Sequence, residues 1–177
     1  MQIYEGTPRQ DYEEVLRSIG AFVDQGGMRE ISLAETAQGF LLQALGPQAE
    51  NGQSWSDAVG RIEKVSYLLA EEDIARFMDE ASNRRNRGRP PPQEVPDSFY
   101  EHALRVLGHY IDEQKPRDVM LFEQDRAFVL RLLTATRSGL RHVLAEFTRE
   151  EIESLIEGAH RLRGKTGGES ILDTVGG

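Results

Sequence analysis

The chain has 177 residues, 38 % of them hydrophobic and 29 % charged, and a mean hydropathy of −0.51, which is the composition of a globular protein. It has no cysteine, which excludes a disulfide framework, thiolate zinc sites and a cysteine nucleophile. The net charge of −9 disfavours broad, non-specific nucleic-acid binding, and no apolar run exceeds four residues, so we expect a soluble, cytoplasmic protein without a membrane-spanning segment.

An internal repeat organises the sequence. Residues 12–45 align with residues 100–133 at a constant shift of 88 positions, with twelve identities in thirty-four positions. Further along, the similarity resumes at a shift of 78, so the first repeat carries ten extra residues (88 minus 78), which we place in the loop Gly46–Asp57. The alignment predicts a first repeat over residues 1–83 and a second over residues 98–163.

Each repeat is predicted to begin with an amphipathic helix, because apolar residues recur at helical spacing. These residues are Tyr12, Leu16, Ile19 and Val23 in the first repeat and Tyr100, Leu104, Leu107 and Ile111 in the second. Gly26 and Gly27 end the first of these helices, and Lys115 and Pro116 end the second.

Two short β-favouring runs joined by a polar link follow in each repeat and predict a β-hairpin. The predicted strands are Arg29–Glu35 and Gly39–Leu45, then Arg117–Glu123 and Ala127–Leu133. The rest of each repeat is predicted to be helical, over Asp57–Arg85 and Thr136–Arg163. A break precedes Thr148, which forms a capping box with Glu151 and so begins a new helix.

The predicted fold class is α+β. Apolar residues at alternate strand positions, such as Leu33 and Leu121, indicate that one sheet face is covered by the helices. A single hairpin is only marginally stable, so we expect the two hairpins to merge into one four-stranded antiparallel sheet with an internal pseudo-twofold axis. Residues 84–97 are rich in arginine and proline and predict an extended linker, and residues 164–177 predict a flexible tail.

The outward-facing strand positions of the second repeat form a candidate partner-binding patch of Met120, Phe122, Val129 and Arg131. An apolar patch with a polar edge is typical of a surface that binds a protein partner or a second copy of the same chain. The alternative is that the loop Gly46–Asp57, which contains Trp55, folds across the patch.

The basic residues of the linker and of the second repeat's C-terminus support an alternative function as a nucleic-acid-associated accessory protein. These residues are Arg84, Arg85, Arg87, Arg89, Arg161, Arg163 and Lys165. The tetrapeptide Arg87–Pro90 resembles the core of an AT-hook, a minor-groove motif in which extended arginines flank a glycine. The simpler interpretation is that cations gather at helix C-termini because the helix dipole favours them there.

No residue set predicts a catalytic, metal or cofactor site. Glu35 and Glu123 each end a strand, and a paired carboxylate site is one hypothesis for them, although no nucleophile accompanies them. His102 and His109 share a helix stripe near Glu113, which fits a solvated face better than a metal site. We therefore interpret the sequence as that of a non-catalytic interaction or regulatory protein.

Overall fold

The computed structural model describes residues 12–47, 62–86 and 98–163, which form an α+β fold of four helices and an open, six-stranded antiparallel sheet. Along the chain the elements are α1 (Tyr12–Gln25), β1 (Arg29–Thr36), β2 (Gly39–Pro47), β3 (Ile62–Ala70), α2 (Glu71–Asn86), α3 (Phe99–Gln114), β4 (Asp118–Gln124), β5 (Ala127–Thr136), β6 (Gly139–Phe147) and α4 (Arg149–Arg163). None of the helices in these ranges is long and apolar enough to cross a membrane.

The helices α1 and α3 form where the apolar spacing predicts them, and both end in left-handed backbone. The φ angle is 60° at Gly27 and 49° at Lys115. The backbone N–H of Gly27 donates to the carbonyl oxygen of Asp24, and that of Lys115 donates to Ile111. Pro116 then prevents α3 from continuing, because proline has no N–H to donate.

The sheet has the strand order β3-β2-β1-β4-β5-β6. Both predicted hairpins are confirmed: β1 pairs with β2, and β4 pairs with β5. The hairpins join through β1 and β4, where Leu33 lies opposite Leu121. These two leucines occupy equivalent positions in the sequence alignment.

The prediction of a four-stranded sheet is wrong, because β3 and β6 add a strand at each side. Both lie at the start of segments that were expected to be helical. Side chains two or four residues apart lie on the same face of a strand. Val65 and Leu69 of β3 therefore share the helix-covered face, as do Val143 and Phe147 of β6. Pairing to β2 and β5 also satisfies backbone groups that would otherwise lie at an open edge.

The helices that follow these outer strands begin at clear capping signals. The backbone N–H of Ala70 donates to the Asp73 carboxylate at 3.1 Å, just before α2. The predicted capping box before α4 is confirmed. The Thr148 N–H donates to Glu151 Oε2, and the Glu151 N–H donates to Thr148 Oγ1, both at 3.2 Å.

In the described ranges, the helices pack on one side of the sheet. α1 packs against α3, α2 lies against α1 and β3, and α4 lies against α3 and β5. The largest fully buried side chains come from both layers and are Phe40, Phe128, Leu16, Ile19, Ile31, Leu33, Leu42, Ile74, Leu104, Leu107, Ile111 and Leu121. We call the opposite side of the sheet the outer face.

The antiparallel contact between α1 and α3 is unusually close. A Cβ atom added at Gly20 would collide with the carbonyl oxygen of Tyr100 and lie 2.8 Å from the Cα of Glu101. A Cβ atom added at Gly108 would lie 2.5 Å from the carbonyl oxygen of Tyr12. Only glycine allows the two backbones to approach this closely.

Each of these helices caps the other with an aspartate. The backbone N–H groups of Tyr100 and Glu101 donate to the Asp24 carboxylate at 3.1 and 2.9 Å. Reciprocally, the first two N–H groups of α1 donate to the Asp112 carboxylate, both at 3.0 Å. Two ion pairs at 3.2 Å, Arg17–Glu101 and Arg105–Glu13, flank these caps. A carboxylate at a helix N-terminus satisfies N–H groups and complements the helix dipole.

Several predicted segments lie partly or wholly outside the described residues. α2 continues to Asn86, so it includes the first three residues of the predicted linker, 84–97. The remaining linker residues 87–97, most of the loop Gly46–Asp57 and the predicted tail 164–177 are outside the described ranges.

Candidate partner-binding face

The four residues of the predicted patch lie together on the outer face. Phe122 of β4 is directly opposite Val129 of β5, and Met120 is opposite Arg131. Phe122 is 43 % exposed, Arg131 is exposed, and the other two are half-buried. The strand pairing therefore forms one continuous surface from residues that the sequence placed on two strands.

The patch belongs to two rows of outward side chains that cross all six strands. The Met120 row consists, from β3 to β6, of Leu68, Leu41, Ala34, Met120, Arg131 and Leu144. The Phe122 row consists of Ser66, Gln43, Ser32, Phe122, Val129 and Glu146. Adjacent strands are about 4.8 Å apart, so neighbouring side chains in a row are close enough to contact one another.

Two of the most exposed members were missed by the sequence analysis. Leu68 is 50 % exposed and Leu144 is 65 % exposed. Both lie in strands that were assigned to helices, so they could not be placed on the sheet. For Leu144, the signal that could have found its strand is the pair of turn residues Ser138 and Gly139 directly after β5, which is typical of a hairpin.

The outer face is more apolar than a solvent-exposed sheet face usually is. An antiparallel sheet with one side in water normally places polar residues on that side. In the described part of the chain, four of the five exposed large hydrophobic side chains lie here, and these are Leu68, Phe122, Leu140 and Leu144. Covering the exposed part of Phe122 alone would contribute roughly 2 kcal/mol, at ~25 cal/mol per Å² of apolar surface.

The carboxylates of Glu35 and Glu123 lie on the helix side of the sheet, each bound by a tyrosine. Tyr12 Oη donates to Glu35 Oε2 at 2.8 Å, and Tyr100 Oη donates to Glu123 Oε2 at 3.1 Å. Glu123 is 7 % exposed and also accepts the backbone N–H of Ile31 at 3.0 Å. Each carboxylate therefore links a helix to the sheet.

Burial dominates the electrostatics of these pairs. It raises the pKa of the Glu35 carboxyl to about 7, although the hydrogen bond from Tyr12 opposes the shift. Burial, followed by the adjacent carboxylate, raises the pKa of both tyrosine hydroxyls above the ordinary value, so Tyr12 and Tyr100 remain proton donors.

The two glutamates do not form a shared acid site. Glu35 lies two residues beyond Leu33, and Glu123 lies two residues beyond Leu121 on the antiparallel neighbour. The glutamates are therefore four residues apart along the strands, roughly 14 Å. Paired carboxylate chemistry needs the two groups much closer together, so the hypothesis of a joint site is wrong.

In the histidine stripe of α3, the His109 ring lies between two carboxylates. His109 Nδ1 lies 3.1 Å from Glu13 Oε2, and His109 Nε2 lies 3.3 Å from Glu113 Oε1. Among the residues that the structure describes, there is no cluster of three or more histidine, aspartate or glutamate side chains that could hold a metal ion.

The basic residues of the nucleic-acid hypothesis belong to separate helix ends. Arg84 and Arg85 lie in the last turn of α2, and Arg161 and Arg163 lie in the last turn of α4. These helices pack on opposite flanks of the α1–α3 pair. Arg87, Arg89 and Lys165 are outside the described residues.

No protein family, curated protein or solved structure matches this chain. Its function is therefore inferred from the geometry and chemistry of the molecule itself. The most distinctive surface in the described ranges is the apolar outer face around Phe122.

Proposed function

We propose that this chain is a non-catalytic interaction protein that presents the outer face of its sheet to a protein partner or to a second copy of itself. The observation that carries the proposal is the run of apolar side chains across a sheet face on which no described helix packs. Phe122, Leu68 and Leu144 project from three strands of the one hydrogen-bonded sheet. Exposed patches of this kind are typical of interaction surfaces.

The outer face is supported by a frame made of the helices α1 and α3 and the two joined hairpins. We propose that this frame arose by duplication and that its two halves are related by a pseudo-twofold axis through the Leu33–Leu121 pair. Three reciprocal sets of contacts support this interpretation: the aspartate caps, the Arg–Glu pairs, and the close approaches of Gly20 and Gly108. Each contact from one half has its counterpart 88 positions away in the other. The frame would act as a rigid support with few internal degrees of freedom.

A site-specific cross-linking experiment tests the proposed function. A photoreactive residue replaces Val129 in the full chain, which is expressed in its native host, and the adducts are identified by mass spectrometry. Val129 is half-buried beside Phe122, so we expect it to give a discrete protein adduct. The same residue at Ala75, an exposed position of α2, is the control and should give none.

The substitution Phe122→Asp in the Val129-labelled chain should remove the adduct while the circular dichroism spectrum is unchanged, because Phe122 is already 43 % exposed. An adduct from both Val129 and Ala75 would indicate random collision. The absence of any adduct from Val129 would contradict the proposed function.

A further inference from the structure

We propose that the partner of the outer face is a second copy of this chain, with the two six-stranded sheets packed face to face about a two-fold axis. This inference rests on the proposed function and names the partner. The size, the charge balance and the row arrangement of the face support it.

The outer face has the size that a stable homodimer needs. Six strands spaced about 4.8 Å apart span roughly 24 Å, and strands of nine residues are about 30 Å long. The face therefore has an area of about 700 Å², close to the ~800 Å² per partner of a stable interface. Two antiparallel sheets with apolar facing sides also have a standard way to pack, with strand directions within about 30° of each other.

Charged side chains are balanced along the Met120 and Phe122 rows, although the whole chain has a large negative net charge. The chain carries a net charge of −9, so two copies repel one another at most relative orientations. Across the Met120 and Phe122 rows there is one cation, Arg131, and one anion, Glu146. Two copies can therefore meet along these two rows without bringing an excess of negative charge together.

The two rows are complementary to each other. In a dimer with two-fold symmetry, every contact occurs twice. If one residue of the first copy contacts a second residue of the other copy, the second residue of the first copy also contacts the first residue of the other copy. A two-fold axis that runs across the strands between the rows would bring each row over the other row of the second copy. Phe122 would then lie over the partner's Met120. Arg131 would be offset sideways from the partner's Glu146 by one strand spacing, about 4.8 Å, so its long side chain could reach that carboxylate across the roughly 10 Å between packed sheets.

Sedimentation velocity of the purified full chain tests the self-association directly. We expect a concentration-dependent particle of twice the 19.9 kDa chain mass. Phe122→Asp should raise the dimer dissociation constant about a thousandfold, because the substituted side chain occurs twice in a symmetric dimer. Leu144→Asp, at a 65 % exposed position, should act in the same direction, whereas Ala75→Asp on α2 adds the same charge and should leave the constant unchanged.

A mixing experiment tests whether Arg131 and Glu146 lie at the interface between the two copies. Arg131→Glu leaves two acidic side chains on each face, and Glu146→Arg leaves two basic ones, so each variant alone should remain monomeric. An equimolar mixture of the two variants should form a heterodimer, because every acidic side chain then meets a basic one. The rescue requires the two outer faces to meet, because a dimer formed through another surface would not bring these side chains together.

Three outcomes would overturn the inference. These are a monomeric wild-type chain at every concentration, a dimer that survives Phe122→Asp, and a mixture of the charge variants that stays monomeric. If the chain is monomeric and Phe122→Asp lowers its melting temperature, the outer face is covered by a segment of the same chain. That result would also overturn the inference. If the purified chain is monomeric but Val129 cross-links to another protein, only the second-copy inference fails. If Val129 gives no adduct, the proposed function fails with it.

Discussion

The close contact between α1 and α3 predicts that alanine at Gly20 or Gly108 destabilises the protein. A methyl group at Gly20 would lie 2.6 Å from the carbonyl carbon of Tyr100, and one at Gly108 would lie 2.7 Å from the Cα of Glu13. Carbon atoms in contact are normally about 3.5–4.0 Å apart, so the two helices must separate by about 1 Å. The obstructing atoms belong to the backbone, so no change of rotamer can relieve the clash.

The size of the effect depends on three contributions. Alanine in a helix interior is favoured over glycine by about 1 kcal/mol, which opposes the clash. Overpacking of a closely packed site costs about 1–3 kcal/mol. Separation of the helices also stretches the carboxylate caps at Asp24 and Asp112, and hydrogen bonds to a charged group contribute about 1.5–3 kcal/mol each. We expect a net loss of about 2–4 kcal/mol for either substitution.

Urea denaturation of Gly20→Ala, Gly108→Ala and the double variant measures these losses. The double variant should lose less than the sum of the single losses, because one separation of the helices relieves both clashes. Ser82→Ala, at an exposed position of α2, is the control and should change stability by a few tenths of a kcal/mol. The reasoning is refuted if either glycine variant is more stable than the wild type by about 1 kcal/mol, the value for an unobstructed helix position.

Three further substitutions test the caps and the buried carboxylate, each by urea denaturation. Asp24→Ala should lower the free energy of unfolding by about 2 kcal/mol, because two N–H groups of α3 lose their acceptor. Thr148→Ala should lower it by about 1 kcal/mol through loss of the capping box. Glu35→Gln should remove a pH dependence. Because the folded-state pKa of about 7 exceeds the unfolded-state value of 4.5, wild-type stability should fall as the pH rises from about 4.5 to 7, by at most about 3 kcal/mol.

Matched measurements separate these effects from general loss of structure. Asp24→Asn keeps one acceptor oxygen, so it should lose less stability than Asp24→Ala. The difference between wild type and Glu35→Gln should change between about pH 4.5 and 8 and be constant above about pH 8, where the wild-type carboxyl is ionised in both states. A difference that does not change with pH would contradict the assigned burial of Glu35.

The first helix and the hairpin of each half could be predicted because local signals there agree with the final packing. The apolar spacing of α1, the Gly26–Gly27 stop and the period-two pattern of β1 all indicate the same elements. β3 and β6 could not be predicted in the same way. β6 is exposed at most positions and carries apolar residues on both of its faces, so the alternation of its inward residues is hard to recognise in the sequence. Its position is fixed by pairing with β5, and the turn residues Ser138 and Gly139 are the local signal for that pairing.

The interactions that unite the halves were largely beyond sequence reasoning. Asp24 accepts from an N–H group 76 positions away, and a capping aspartate is ordinarily sought next to its own helix. The identity of Asp24 with Asp112, and of Gly20 with Gly108, is visible when residues 12–45 are aligned with residues 100–133. Those identities indicated a packing constraint without naming the partner helix. The tyrosine partners of the buried glutamates were hidden for the same reason, since each bond joins a helix to a strand.

The contrast between the two faces of the sheet explains why the outer face is the best candidate surface. Inward positions 33, 40 and 42 carry the same residue types as positions 121, 128 and 130, because the helices constrain their volume. Outward positions differ: Ser32 and Ala34 correspond to Met120 and Phe122. Large apolar side chains in water lower solubility and add nothing to the core. Met120 and Phe122 therefore contribute to stability only if another surface covers them. The Phe122→Asp variant distinguishes that explanation from simple tolerance, because a face that nothing covers would accept a charge without consequence.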